Sequence, residues 1–242
     1  MEPIQLSTAS KVRYINVNEI FGPTIQGEGP HTGQRCGFLR LAGCNLSCSW
    51  CDTPYSWDWE RFDRNKEVHK MTAQQIADQI NAMNVSVLII TGGEPMLQQW
   101  AIPEIKALTN CHIDIESNGT RMPTADTIEA VELFCISPKL SHASDPENLR
   151  IVKPALAAYA ELSKQGKAIF KFVAQTVDDF TEIDQLQQGA DIPDEAIWIM
   201  PEGANAKDMM TSAYALADAV IDRGWNFTLR QHTLIWDTER AH

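Results

Sequence analysis

Gly43-Cys44-Asn45-Leu46-Ser47-Cys48-Ser49-Trp50-Cys51-Asp52-Thr53 is the stretch on which the reading of this chain turns. Its C-x3-C-x2-C spacing presents three thiolates from one short loop. Iron–sulfur cubanes are ordinarily held by four cysteines, so a triplet with no nearby fourth leaves one iron with an open coordination site. An open iron can bind and cleave a small molecule, which a fully ligated electron carrier cannot do. A zinc site completed by His31 or His69 is the competing reading. Zinc, however, is more often held by two separated C-x2-C pairs, and here a second pair is absent.

The cysteine loop follows the apolar run Gly37–Leu41, which predicts a strand. Further strands are predicted at Val85–Thr91, His112–Ser117, Leu133–Ser137, Ala168–Ala174, Ala196–Met200 and Asn226–Gln231. They are short and rich in Ile, Val and Phe, as strands covered on both faces are. Helical patterns lie between them. Thr72-Ala73-Gln74-Gln75 reads as a capping box ahead of Ile76, Ile80 and Met83 on one face. Pro154 to Gln165 stops at Gly166, and Ala206 to Arg223 ends at Gly224. Asp58 to Lys70, the most charged segment, reads as a solvated excursion. The alternation predicts an α/β fold: a compact, incomplete (β/α) barrel of about six parallel strands in a single domain over residues 1–242. The cysteine loop then follows the first barrel strand. A full eight-fold barrel takes about 250 residues without such a loop.

Polar punctuation falls where a barrel builds its chemistry. Thr91-Gly92-Gly93-Glu94-Pro95, Glu116-Ser117-Asn118-Gly119, Ser137-Pro138-Lys139, Pro201-Glu202-Gly203 and Arg230-Gln231-His232 each follow or end a predicted strand. One such strand end is a turn. Five in register, beside three cysteines, predict one shared pocket at the C-terminal ends of the strands.

Composition narrows the partners. With 242 residues and 44% hydrophobic content the chain can bury a substantial core. A net charge of −12 without a lysine or arginine block disfavours direct contact with nucleic acid and favours a small-molecule substrate. If that substrate is an anion it needs a local cation, and Arg40, just ahead of the cysteine loop, is the candidate. No apolar run is long enough for a membrane span, and Met1 to Lys11 lack a secretory signal. Six cysteines in a chain this long do not make a disulfide scaffold, so a reducing cytoplasm is the expected location. Cys36, Cys111 and Cys135 read as ordinary buried thiols.

Taken together, these motifs resemble the radical S-adenosylmethionine (SAM) superfamily, with Trp50 as the aromatic residue before the last cysteine and Thr91–Pro95 matching its GGEP motif. The finer resemblance is to the 7-carboxy-7-deazaguanine synthase family. It rests on Gln26-Gly27-Glu28-Gly29, Phe38-Leu39-Arg40-Leu41-Ala42-Gly43-Cys44, Cys51-Asp52-Thr53, Glu116-Ser117-Asn118-Gly119, Ser137-Pro138-Lys139 and Gln231-His232. The resemblance implies a dimeric lyase that converts 6-carboxy-5,6,7,8-tetrahydropterin to 7-carboxy-7-deazaguanine with ring contraction and loss of ammonia, in queuosine and deazapurine biosynthesis. SAM is regenerated, and an electron donor such as flavodoxin or ferredoxin is needed. Cys44, Cys48 and Cys51 would hold a [4Fe–4S] cluster and Thr53 a Mg²⁺ ion. Ile25, Gln26, Gly27, Glu28, Arg40, Thr91 and His232 would surround the pterin. Trp50, Asp52, Gly93, Glu94, Ser117, Asn118, Ser137, Pro138, Lys139, Met200, Pro201, Glu202 and Gly203 would line SAM.

The chemistry of the side chains agrees with several of these roles. Arg40 offers a planar fork suited to a carboxylate, and ionised Glu28 is a pure acceptor suited to an amino-pyrimidine edge. Thr53 supplies one oxygen, which makes a magnesium site only if substrate and water share the metal. The tail from Ile235 to His242 is longer and more polar than in the family's shorter members, and Met200 stands where some relatives carry a polar side chain. Two other readings compete. A small activase of a glycyl-radical enzyme shares the cysteine spacing, and a zinc-bearing interaction module would leave the glycine-rich loops without a use.

Overall fold

Successive side chains of a strand point to opposite faces, and in this chain that parity separates a core from a site. A computed structural model describes residues 12–241; Met1 to Lys11, read above for a signal, and His242 lie outside them. The strands are β1 (Ile15–Ile25), β2 (Arg35–Leu41), β3 (His69–Met71), β4 (Val87–Gly92), β5 (His112–Ser117), β6 (Leu133–Ile136), β7 (Ala168–Ala174), β8 (Ile197–Pro201) and β9 (Asn226–Phe227). The helices are α1 (Arg64–Glu67), α2 (Ala73–Ala82), α3 (Ile102–Leu108), α4 (Ala125–Ala130), α5 (Glu147–Arg150), α6 (Lys153–Ser163), α7 (Asp179–Ala190), α8 (Ala206–Asp222) and α9 (Gln231–Trp236). All nine strands form one sheet in the order β3-β1-β2-β4-β5-β6-β7-β8-β9. From β2 to β9 every neighbouring pair is parallel, whereas β1 pairs antiparallel with both β2 and β3. The parallel part is the incomplete barrel that the apolar runs predict.

One face of the sheet carries Leu39, Leu41, Leu88, Ile90, Ile113, Ile115, Phe134, Ile136, Phe170 and Phe172, all buried in the main core against the helices. The opposite parity yields two small interior clusters, Cys36–Phe38–Ile89 and Leu133–Cys135–Ile169. Between and above them the same interior face carries polar residues: Arg40 in β2, Thr91 in β4, Asp114 and Glu116 in β5 and Lys171 in β7. The helices form as their sequences dictate. Thr72 caps α2 with the full reciprocal box to Gln75, and Ile76 and Ile80 are buried beneath it.

Three expectations change, and β1 is a strand that the apolar runs do not predict. Strand β1 carries no clean alternation because its pairing slips between Val17 and Glu19 and again between Phe21 and Thr24; the bulges hide the period-two signal. The Asp58–Lys70 excursion is not merely solvated: it holds α1 and leads into β3, which pairs with β1, and Glu67 accepts from Asn18 Nδ2. The predicted strand Asn226–Gln231 is cut to two residues. Beyond it Thr228 Oγ1 accepts from Gly29 N at 2.8 Å and Gln231 N donates to Gly27 O at 2.8 Å, so the backbone leaves the sheet for the Gly27–Gly29 turn. His232 therefore opens a helix rather than following a strand.

Candidate active site

A cavity of about 600 Å³ opens at the C-terminal ends of the parallel strands, a size suited to small-molecule ligands. The loop after β2 brings Cys44, Cys48 and Cys51 to it, with Trp50, Asp52 and Thr53. The same cavity is lined by Thr91 and Gly93 at the end of β4, Ser117 and Asn118 at the end of β5, Ser137 and Lys139 after β6, and Met200 to Gly203 at the end of β8. Ile25 and Arg40 enter from β1 and β2, Gln26 and Glu28 from the connection between them, and His232 from α9. Three expected site residues stand behind the lining: Gly27, Glu94 and Pro138.

Gly27 has a steric reason to be there. A Cβ on it would lie within 3.0 Å of the His232 ring carbon Cγ, so the imidazole packs directly on a bare backbone. Glu94 is 1% exposed and spends both oxygens inside the protein. Oε1 accepts from Met96 N and Ser117 Oγ, and Oε2 from Asn118 N at 2.7 Å. It fastens the β4 loop to the β5 loop instead of facing the cavity. Burial pushes its carboxyl above the ordinary range, although those three donors and Lys139 oppose the shift. What the GGEP segment presents to the cavity is its Gly92-Gly93 backbone. Gly93 N donates to Leu41 O at 3.0 Å and Glu94 N to Gly43 O at 2.8 Å, which lashes this turn to the start of the cysteine loop.

The cysteine loop itself is braced. Asp145 Oδ1 accepts from Ser47 N at 2.9 Å and Ser47 Oγ at 3.0 Å, pinning the residue before Cys48. Leu46 N donates to Cys44 Sγ at 3.4 Å and Trp57 Nε1 to Cys51 Sγ at 3.3 Å. N–H donors aimed at sulfur are what thiolates bound to iron receive. Burial holds the Cys44 thiol up to about 11 and Cys48 to about 12, so a cation is needed there to keep them as thiolates. Among the described residues no three His, Cys, Asp or Glu side chains are grouped to hold a single metal ion. His31 Nδ1 pairs instead with Asp114 Oδ2 at 2.5 Å, and His69 lies in edge strand β3. A zinc site completed by either is therefore not formed, whereas a cubane takes each thiolate on a different iron. The three cysteines fit a cluster.

For SAM, the buried Trp50 Nε1 has no partner among the described residues, and Lys139 Nζ lies 5.5 Å from the Trp50 ring centroid and donates to Ser137 Oγ. That wall offers a free donor, an aromatic face and a cation beside the cysteine loop, which fits a cofactor bearing a carboxylate and an adenine ring. The magnesium fit is weaker. Thr53 contributes one hydroxyl, 3.8 Å from Cys51 Sγ, and neighbouring Asp52 faces Arg230 Nη1 at 3.5 Å.

The other half of the cavity is a charged ring that the motifs only partly reveal. Glu116 Oε2 accepts from Thr91 Oγ1 at 3.0 Å and Oε1 from Gln26 Nε2 at 3.2 Å. Glu28 forms an ion pair with Lys171, which is 4% exposed. Burial alone would raise the Glu28 carboxyl, but Lys171, His232 and Arg230 outweigh it and hold it at about 2. Arg40 Nε donates to Glu19 Oε1 at 2.7 Å; its terminal nitrogens have no protein acceptor among the described residues. Phe21 and Phe38 stack with centroids 4.9 Å apart and form a flat wall beside Arg40. The tail residues Asp237 to Ala241 also line the cavity. Arg240 ties them down through Glu19 Oε2 and Glu67 Oε2, both at 3.1 Å, and lies over the Tyr55 ring.

Lys171 and Arg240 are lining residues outside every quoted motif, whereas Glu116 and Arg230 stand in quoted motifs that give them no role of their own. A lone lysine inside Ala168-Ile169-Phe170-Lys171-Phe172-Val173-Ala174 is a usable signal, since an unpaired lysine does not sit in an apolar strand. Arg240 carries no such signal.

Comparison with known proteins agrees with this geometry. Residues 39–153 match the model of the Radical SAM superfamily. A 7-carboxy-7-deazaguanine synthase of Pyrobaculum aerophilum is 30% identical over 230 residues, 94% of this chain and 97% of the relative. Another, from Bacillus subtilis, is 34% identical over 170 residues, 68% of each chain. The crystal structure of QueE from Escherichia coli superposes with a TM-score of 0.67 at 22% identity, covering 90% of this chain and 95% of that one, and thus shares the fold. With three cysteines, a glycine-lined strand end and a charged ring on one cavity, and a 30% identical relative matched over 97% of its length, this chain belongs to the 7-carboxy-7-deazaguanine synthase family of the radical SAM superfamily.

Proposed function

We propose that the protein converts 6-carboxy-5,6,7,8-tetrahydropterin to 7-carboxy-7-deazaguanine, with ring contraction and loss of ammonia. The observation that carries this reading is one cavity with two unlike walls. One wall has three thiols and a glycine backbone, and the other has carboxylates and cations around a stacked aromatic pair. When bound, a [4Fe–4S] cluster on Cys44, Cys48 and Cys51 together with SAM supplies a carbon-centred radical able to take a hydrogen atom from the substrate. The chain's own residues do the rest. Arg40 directs its outer guanidinium nitrogens to the substrate carboxylate while Glu19 fixes the inner one. Glu28 accepts from the amino-pyrimidine edge, Thr91 and Gln26 hold Glu116 in place, and His232 closes the side packed on Gly27. Trp50, Lys139 and the Met200–Gly203 turn would orient SAM. Thr53 gives one oxygen of a Mg²⁺ shell completed by substrate and water.

A flavodoxin- or ferredoxin-type donor, a homodimeric assembly, a single domain and a cytoplasmic location belong to the same proposal. Anaerobically reconstituted protein given reductant, SAM and carboxytetrahydropterin is expected to release ammonia and form the deazapurine with SAM largely unspent. Steady SAM consumption without deazapurine would overturn the reading in favour of an activase.

A further inference from the structure

Lys171 is the buried charge in this cavity that no motif claims. It sits on the interior face of β7, 4% exposed, with its ammonium on Glu28 Oε2. A lysine tolerates such burial only when paired. The groups facing it are Glu28 from the β1–β2 connection, Glu116 from β5 and the Cys135 thiol from β6. Those facing Glu28 are Lys171, His232 and Arg230.

The two carboxylates are used differently. Glu116 has both oxygens engaged by protein, one by Thr91 and one by Gln26. Glu28 has Oε2 engaged by Lys171, while Oε1 has no protein donor among the described residues and the side chain lines the cavity. Glu28 is thus the carboxylate with an oxygen left for a ligand.

We propose that Lys171 is a positioning residue that acts through Glu28, fixing its carboxylate as a bare acceptor turned toward the amino-pyrimidine edge of the substrate. The inference rests on the functional reading above and assigns a role to a residue outside the matched motifs. Its physical content is a competition. Burial pushes a carboxyl toward the protonated form, and the adjacent ammonium reverses that push. A protonated carboxyl would present an O–H to a substrate edge that is itself a donor.

The test is anaerobic isothermal titration of 6-carboxytetrahydropterin into cluster-loaded, unreduced protein with SAM, between pH 6.5 and 9. Lys171→Met and Lys171→Gln are both used, so that one misfolding variant does not end the experiment. Without the ammonium, burial is expected to raise the Glu28 carboxyl toward this range against the remaining pull of His232 and Arg230. Protonation at the low end removes the acceptor, so affinity falls about tenfold for each unit that the carboxyl pKa exceeds the pH, and it recovers toward the wild-type value by pH 9. The readout is the ratio of variant to wild-type Kd at each pH, so that any pH dependence common to all variants cancels. Lys171→Arg, which keeps the cation, is expected to hold that ratio flat. A double variant with Glu28→Gln is expected to bind weakly at every pH. A flat ratio for Lys171→Met and Lys171→Gln, at any affinity, overturns the inference while leaving the functional reading intact. Failure of the wild type to bind the pterin overturns both.

Discussion

Replacing Gly93 with alanine tests whether the strand end after β4 and the start of the cysteine loop are one mechanical unit. A Cβ on Gly93 would stand 2.5 Å from the Gly43 carbonyl carbon and 2.9 Å from Cys44 N, and nearer still to Gly43 O. All three are backbone atoms, which no rotamer change can move aside. Ordinary contact begins at 3.4 Å, so one backbone must retreat by roughly 1 Å. That retreat strains the bonds Gly93 N to Leu41 O and Glu94 N to Gly43 O. Two hydrogen bonds at about 1 kcal/mol each, with about 1–3 kcal/mol of overpacking, give a loss of about 3–5 kcal/mol. Because Cys44 N is among the atoms displaced, iron uptake should fall as well.

Gly189→Ala in α7 is the contrast. Gly189 is exposed with nothing within 4 Å of its would-be Cβ, and the change should stabilise by about 0.5–1 kcal/mol. Urea unfolding of cluster-free protein, followed by circular dichroism, gives both values, and iron and sulfide analysis after anaerobic reconstitution gives the uptake. A Gly93→Ala protein with the wild-type midpoint and full iron would refute the argument that this approach is obligatory.

Three further outcomes are expected. Cys48→Ala should abolish both cluster and turnover, while Arg40→Ala should keep the cluster absorbance and raise the substrate KM about 10–100-fold, the worth of one charge-assisted pair; steady-state kinetics beside the visible spectrum separates the two. The folded Glu28 carboxyl lies at about 2 against 4.5 for the ordinary group. Its contribution of about 3 kcal/mol is therefore present above pH 4.5 and lost as pH falls toward 2, so the stability gap between wild type and Glu28→Gln should shrink over that window in acid unfolding curves. Arg240→Ala should change stability by less than about 1 kcal/mol, since its side chain is half-exposed and its ion pairs are screened. It should nevertheless raise the substrate KM several-fold, and SAM affinity should be unchanged, because Arg240 shares Glu19 with Arg40.

What the linear sequence determined is whatever is written in local spacing. The C-x3-C-x2-C loop, the capping box at Thr72, the apolar runs of β5 and β7 and the glycine-rich strand ends are all local. Each follows from a neighbour-to-neighbour constraint: ligand reach, helix capping, burial on both faces, or close approach of backbones. Even the strand over Asn226–Gln231 has a local pattern, and it stops after Phe227 only because Thr228 and Gln231 find partners at Gly29 and Gly27. Tertiary structure decided the rest, since it lies in pairings across long stretches of chain. Glu94 turned away from the cavity because Ser117 and Asn118 supplied donors behind it. Lys171 met Glu28 because β7 happens to face the β1–β2 connection. The tail closed on the site because Arg240 found Glu19, Glu67 and Tyr55 together. A charge buried in a cavity takes its meaning from the groups opposite it, and only the folded sheet sets which groups those are.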